Sequence, residues 1–240
     1  MATSASPRPI DFNQSAYWFA GFLALALVAF WPSYLSPASE KVSTYTHVHA
    51  FTATVWMVLL IVQPWLIRTR RLALHRSVGK TSYVIAPAVI VSILLLANSR
   101  LQGLTGARYE IQEYVLYLQL SLAMVFALCY TTAIYYRRRR ELHARFMIGT
   151  ALTLIDPVMI RLMFWIGPQP SFNYQWVTFG VTDLVLVALV AYEWRRRAPH
   201  WVFRTMLIVF VLAHVPALFG MTSSETWKEV VRWYAALPLT

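Results

Sequence analysis

Seven side chains stand out because their chemistry conflicts with the apolar sequence in or beside which they lie: His47, His49, Arg100, Asp156, Arg161, Asp183 and His214. Neutral imidazoles are the commonest ligands for haem iron, zinc and copper. His49 and His214 fall at compatible depths for two axial ligands of a haem b, or for two ligands of a transition metal (zinc, iron or copper). His47 is a substitute ligand. Asp156 and Asp183 would ligate a metal or carry protons. Arg161 and Arg100 would neutralise an anionic cofactor, such as the propionates of a haem. No HExxH, CxxCH or paired HxxxH occurs to select among these chemistries.

Spacing narrows the geometry. On a helix, residues two apart point about 200° apart, so only one of His47 and His49 can face inward. His49, Trp56 and Gln63 form an i, i+7, i+14 stripe, which favours His49. Asp156 shares a face with Arg145, Gly149 and Thr153. Arg161 lies more than about 100° around the helix from Asp156, so a direct pair needs an irregularity such as Pro157 would supply. Pro216 follows His214 and loosens the backbone there. At about 1.5 Å per residue, Asp156 and Asp183 each sit roughly 15 Å below one end of their segments, and His214 roughly 9 Å.

The elements carrying these residues are membrane spans. The chain has 240 residues, of which 58% are hydrophobic and 13% charged; soluble domains carry about 25% charged residues. A bilayer-crossing helix needs about 20 mostly apolar residues. Such runs occur at roughly 16–35, 46–67, 78–97, 111–136, 146–166, 174–194 and 202–220. The sequence therefore predicts an all-α, multi-pass protein of seven transmembrane helices. The first run is read as a retained anchor and not a cleaved signal. The net charge of +11 resides mostly in three short loops: Arg68 to Lys80, Arg137 to Arg145 and Arg195 to Arg204. Basic loops stay in the cytoplasm, which places the N-terminus inside and the C-terminus outside. The basicity is thus a topology signal, and a nucleic-acid partner is not expected. The expected partners are the lipid bilayer and a small-molecule substrate or solute, in a bacterial cytoplasmic membrane. Cys129 stands alone, so no intramolecular disulfide forms.

Three segments follow: a flexible tail at 1–15, the transmembrane domain at 16–220, and an outer amphipathic segment at 221–240. In the last, Gly220 caps the seventh span and Thr222 to Glu225 has capping-box spacing. Trp227, Val230, Val231 and Tyr234 then share one face of a short helix, read as lying on the outer membrane surface or capping the bundle. Residues 36–45 and 98–110 are outer loops, and 167–173 form a Gly/Pro turn. A weak repeat joins RTRRLALHRSVG, RRRRELHARFMIG and EWRRRAPHWVFR, each a basic run followed by histidine, which divides the protein into one helix plus three hairpins. His75, His143 and His200 in these runs suit the interface, and Arg76 and Arg145 are expected to meet lipid phosphates or cap helix ends.

The segments THVHAFTATVWMVLLIVQPWLIRTRRLALHRSVGK, ELHARFMIGTALTLIDPVMIRL and VTDLVLVALVAYEWRRR resemble a family of uncharacterised bacterial integral membrane proteins. Its features fall here on His47 and His49, Leu74 to Gly79, His143 to Met147, and Thr182 with Asp183. The resemblance covers roughly 45–220 and implies architecture without an activity. The topology is also similar in outline to adiponectin-receptor and haemolysin-III-like zinc hydrolases. Those carry HxxxH on the last span, where this chain has only His214.

Three functions are open to this sequence, and whether it is an enzyme is not decided by it. One is a metal- or haem-binding membrane protein with a redox or hydrolytic role and its site in the outer half. Another is a proton-coupled transporter or channel for a small solute, using Asp156 and Asp183. The third is a non-catalytic subunit of a membrane complex.

Overall fold

A computed structural model describes residues 12–36, 42–167, 174–198 and 200–240. The tail up to residue 11, the loop at 37–41 and the turn at 168–173 lie outside the described residues. Among the described residues all regular structure is helical, and seven segments are long and apolar enough to cross a membrane. Lipid offers no hydrogen bonds, so each span satisfies its backbone internally as helix.

The first span is α1 (Ser15–Phe30), ending in a π-helical turn at Trp31–Leu35 where Pro32 lacks an N–H. The second is α2 (Thr44–Arg68), whose N-cap Ser43 accepts the Thr46 N–H. The third is broken into α3 (Leu72–Gly79) and α4 (Ser82–Leu101), and the fourth is α5 (Ala107–Tyr135). The fifth is also broken, into α6 (Arg140–Leu152) and α7 (Ile155–Ile166). The sixth is α8 (Tyr174–Arg195) and the seventh α9 (Trp201–Leu218).

The break in the fifth span organises the molecule. Pro157 cannot donate to the Thr153 carbonyl, so α6 stops at Leu152 and a new helix starts at Ile155, with proline in its first turn. The irregularity therefore precedes Asp156. Helix α6 packs against α2, α5 and α9, at the middle of the bundle. Helix α7 instead packs between α1 and α8, in the wall. The other contacts close a ring in the order α1, α2, α4, α5, α9, α8, α7. One span thus fills the axis of the half beside the arginine-rich loops, the inner half, and leaves the axis of the opposite, outer half.

The filled half is tightly packed. Phe146, Leu186, Phe203, Met206 and Phe210 form one buried cluster, and Trp56, Leu60, Phe126 and Tyr130 another. A Cβ on Gly149 would lie 2.6 Å from Met206 Cε and 2.8 Å from Cys129 Sγ, so any larger residue here forces those two side chains to shift where α6 meets α5 and α9. Small residues at such crossings replace the hydrophobic drive that lipid removes. Many large apolar side chains, such as Trp18, Met124 and Ile208, are accordingly exposed on the lipid-facing surface.

The three inner histidines hold hairpin ends. Gln63 donates to the ring Nδ1 of His75 and accepts from Gly79 N, joining α2 to α3. His143 Nδ1 donates to the Ala133 carbonyl at 2.9 Å, tying α6 to α5. His200 is the N-cap of α9, accepting from Val202 N at 3.3 Å. Arg145 corrects the sequence expectation: it meets no headgroup, being 2% exposed and ion-paired with Glu193 on α8 at 2.6 Å.

At the other end, Gly220 adopts the left-handed conformation (φ 69°) and Met221–Ser223 forms a 3-10 turn. That turn delays the last helix, α10 (Glu225–Ala235), so its N-cap is Ser224 and not Thr222. The helix packs on α4 and α5, with Val231 and Tyr234 buried and Trp227 partly so, while Val230 is exposed. Asn98 donates to the Tyr234 carbonyl at 2.8 Å, Tyr234 Oη to the Leu94 carbonyl at 2.6 Å, and Trp227 Nε1 to the Glu113 carbonyl at 3.0 Å. The segment is a cap on the bundle.

Candidate functional site

The hollow outer half is a cavity of about 1530 Å³ lined by all seven spans. Drug-sized ligand sites run about 300–1,000 Å³. Ser33, Tyr34, Ser43 and Gln102 at its edge mark a mouth on the side away from the arginine-rich loops. Much of the wall is apolar, including Leu23, Met57, Ile93, Leu118 and Leu122, with Gln112, Tyr114 and Gln119 among them. Against this wall stand His49, Arg100, Asp156 and Arg161.

Asp156 marks the floor. It is 4% exposed, and Gln175 Nε2 donates to its Oδ1 at 2.7 Å. Thr178 adds a second hydrogen bond to the same carboxyl. Residues 175 and 178 are one turn apart on α8, so a single helical face holds the carboxyl. Tyr114 from α5 lies close enough to feel its charge.

His49 is half-buried on α2, and its Nδ1 lies 3.0 Å from Ser92 Oγ on α4. Ser92 donates its hydroxyl to the Val89 carbonyl at 2.9 Å, and Thr52 lies 2.9 Å from the same oxygen. This network assigns the Nδ1–H tautomer and leaves Nε2 as the acceptor. His47 turns away, exposed and 2.9 Å from Tyr34 Oη.

Arg100 on α4 donates to Thr46 Oγ1 at 3.2 Å, and Arg161 on α7 lies 5.7 Å from the Phe30 ring centroid. Among the described residues neither arginine forms an ion pair. Arg161 and Asp156 share the cavity without pairing: the helix restarts before Asp156, so their separation around α7 stays that of a regular helix.

Asp183 and His214 form a separate pair that does not line the cavity. His214 Nδ1 is 3.3 Å from Asp183 Oδ2, and the imidazole stacks on Phe179 at 3.9 Å between centroids, 9° from parallel. His214 is 4% exposed, and both its Nε2 and Asp183 Oδ1 are buried without a hydrogen-bond partner among the described residues. With Nδ1 turned to Asp183, Nε2 is the ring nitrogen left facing away, the arrangement found at metal-bound or general-base imidazoles.

The seven sequence-selected residues thus fall into three places: His49, Arg100, Asp156 and Arg161 around one cavity, Asp183 with His214 behind it, and His47 outside. Among the described residues no three His, Cys, Asp or Glu side chains converge as a metal site. Sequence reasoning passed over Ser92, Gln175, Thr178, Phe179 and Glu193. For Glu193 a signal existed, since a carboxylate in the last turn of a helix opposes the helix dipole and needs a cation. The others are uncharged residues whose roles arise from distant helices.

The chain matches no family model, no curated protein and no solved structure.

Proposed function

We propose that this multi-pass membrane protein is a carrier for a small solute in a bacterial cytoplasmic membrane, with the outer-half cavity as its binding chamber and Asp156 and His49 as its proton-exchanging groups. The observation that carries the reading is the asymmetry of the fifth span, which opens a chamber outside and plugs the axis inside. A carrier needs a site near mid-membrane that faces one side at a time, with non-helical backbone beside it. The break at Thr153–Leu154 adjoins Asp156, roughly 15 Å below the outer end of α7. The plug is held by Arg145 and Glu193, and Glu193 Oε2 also accepts the His200 N–H at 3.1 Å. A buried ion pair of this kind suits a closure that must be either fully made or fully broken.

Two single-cysteine variants, Ala53→Cys and Leu118→Cys, each with the buried Cys129 replaced by serine, test the chamber. A membrane-impermeant maleimide added outside is expected to label both, and to label neither from inside. Proteoliposomes loaded with a pH-sensitive dye test the carrier. A panel of small organic acids, bases and neutral solutes is expected to contain one that drives proton movement through wild type and not through Asp156→Asn. Absence of any flux in folded wild-type protein would end this reading.

A second reading, a metal- or haem-bearing protein, is favoured by His214, whose free Nε2 and carboxylate-bound Nδ1 suit a metal ligand. It predicts stoichiometric iron, zinc or copper in protein purified from its host, lost in His214→Ala. His49 and His214 as two axial ligands of one haem fit less well, because only His49 faces the chamber.

A further inference from the structure

Resting on the chamber reading, we infer that its ligand is an amphipathic anion, a long apolar body ending in a single carboxylate or phosphate held between Arg100 and Arg161. These two arginines come from different walls, α4 and α7, which are not neighbours in the ring. They are near enough for their charges to repel. Two like charges facing one cavity are stable when an anion lies between them, yet among the described residues no carboxylate does. Asp156, the one acid among the described residues that line the chamber, is engaged by Gln175 and Thr178. The two guanidiniums therefore present forked donors with no acidic acceptor among the described residues.

Depth and wall chemistry define the rest of the ligand. Arg100 lies one residue from the end of α4, and Arg161 five residues, about 7.5 Å, below the end of α7. Both sit at headgroup level, where arginine charge is tolerated. Below them the chamber carries a broad apolar surface, with Leu23, Met57, Ile93, Leu118 and Leu122, interrupted by Gln112, Tyr114 and Gln119. Its rim is mixed: beside Ser33, Tyr34, Ser43 and Gln102, the large apolar side chains Leu35, Ile111 and Phe164 line the mouth and are 39%, 60% and 68% exposed. Exposed apolar side chains at a mouth do nothing for a hydrophilic ion, whereas an amphiphile leaving the outer leaflet can keep its chain on them while its head meets the polar edge. Cation above and hydrocarbon below reproduce the polarity of that leaflet.

The test uses full-length protein in lipid-free detergent micelles, with binding read by quenching of tryptophan fluorescence and by native mass spectrometry. The probes are hexadecanoate, hexadecanol, acetate and inorganic phosphate. Hexadecanoate is expected to bind at least about tenfold more tightly than hexadecanol, and about tenfold more weakly to Arg161→Gln or Arg100→Gln, with Arg161→Lys partly restoring it. Neither arginine is buried, so these variants fold, and an unchanged melting curve confirms it. Hexadecanol binding as tightly as hexadecanoate overturns the anion assignment. Phosphate or acetate displacing hexadecanoate at equal concentration overturns the apolar body. Failure of hexadecanoate to bind, when outside maleimide still labels the Leu118→Cys variant, overturns the inference and leaves the chamber standing. Absence of that labelling in folded Leu118→Cys protein removes the chamber reading itself, and the inference with it.

Discussion

The inner half of this bundle, beside the arginine-rich loops, and the outer half share the same helices and differ in what occupies the axis. Inside, α6 stands in the middle, with Gly149 pressed against Met206 and Cys129, and one buried ion pair joins α6 to α8. Outside, α7 has moved into the wall, and polar side chains face open space. The inner half pairs its buried charges: Arg145 bonds Glu193 and the Glu141 carbonyl, and Glu193 accepts from His200 N. The outer half leaves Arg100, Arg161 and His49 Nε2 facing the cavity. One half is therefore closely packed and the other open, and the boundary is the proline-driven break beside Asp156.

The largest expected effect lies inside. Glu193→Ala strands the Arg145 guanidinium in a buried site and should cost about 3–5 kcal/mol of stability in detergent unfolding. Arg145→Met with Glu193→Leu should recover most of that loss, and failure to do so would show that the pair itself, and not an unpaired charge, sets stability. Next comes Gly149→Ala, which overpacks the same crossing by about 1–3 kcal/mol. Asp183→Asn removes a charge-assisted hydrogen bond from His214 and should lower stability by about 1.5–3 kcal/mol. Tyr234→Phe, at the cap, should cost about 1 kcal/mol and speed hydrogen exchange in α10 while leaving α6 protected. The smallest stability effect belongs to the chamber: Arg161→Gln and Arg100→Gln should fall within about 0.5 kcal/mol of wild type, since neither is buried or ion-paired. A destabilisation from Arg161→Gln as large as that from Glu193→Ala would erase the distinction between the halves.

Particular residues show what could be read without the fold. His49 and Asp156 were legible as candidates because ionisable groups are costly among apolar neighbours. The stripe through His49, Trp56 and Gln63 joins a cavity residue, a fully buried tryptophan and a hairpin lock on one face of α2. Arg145 was misread because it sits in a run of arginines whose others are exposed, and sequence alone does not tell which member turns inward. The Thr222 cap was displaced because the preceding 3-10 turn takes up those residues.

The sequence by itself determined the class of the protein. Hydrophobic length and the one-sided distribution of arginine follow from the bilayer's thickness and electrostatics, and they require no knowledge of neighbours. Tertiary structure alone decided which polar groups meet. Ser92 with His49, Gln175 with Asp156, Phe179 with His214 and Glu193 with Arg145 are brought together by helix order around the ring and by the break in the fifth span. Helix periodicity gives the face on which a residue lies, but helix–helix packing decides what that face meets.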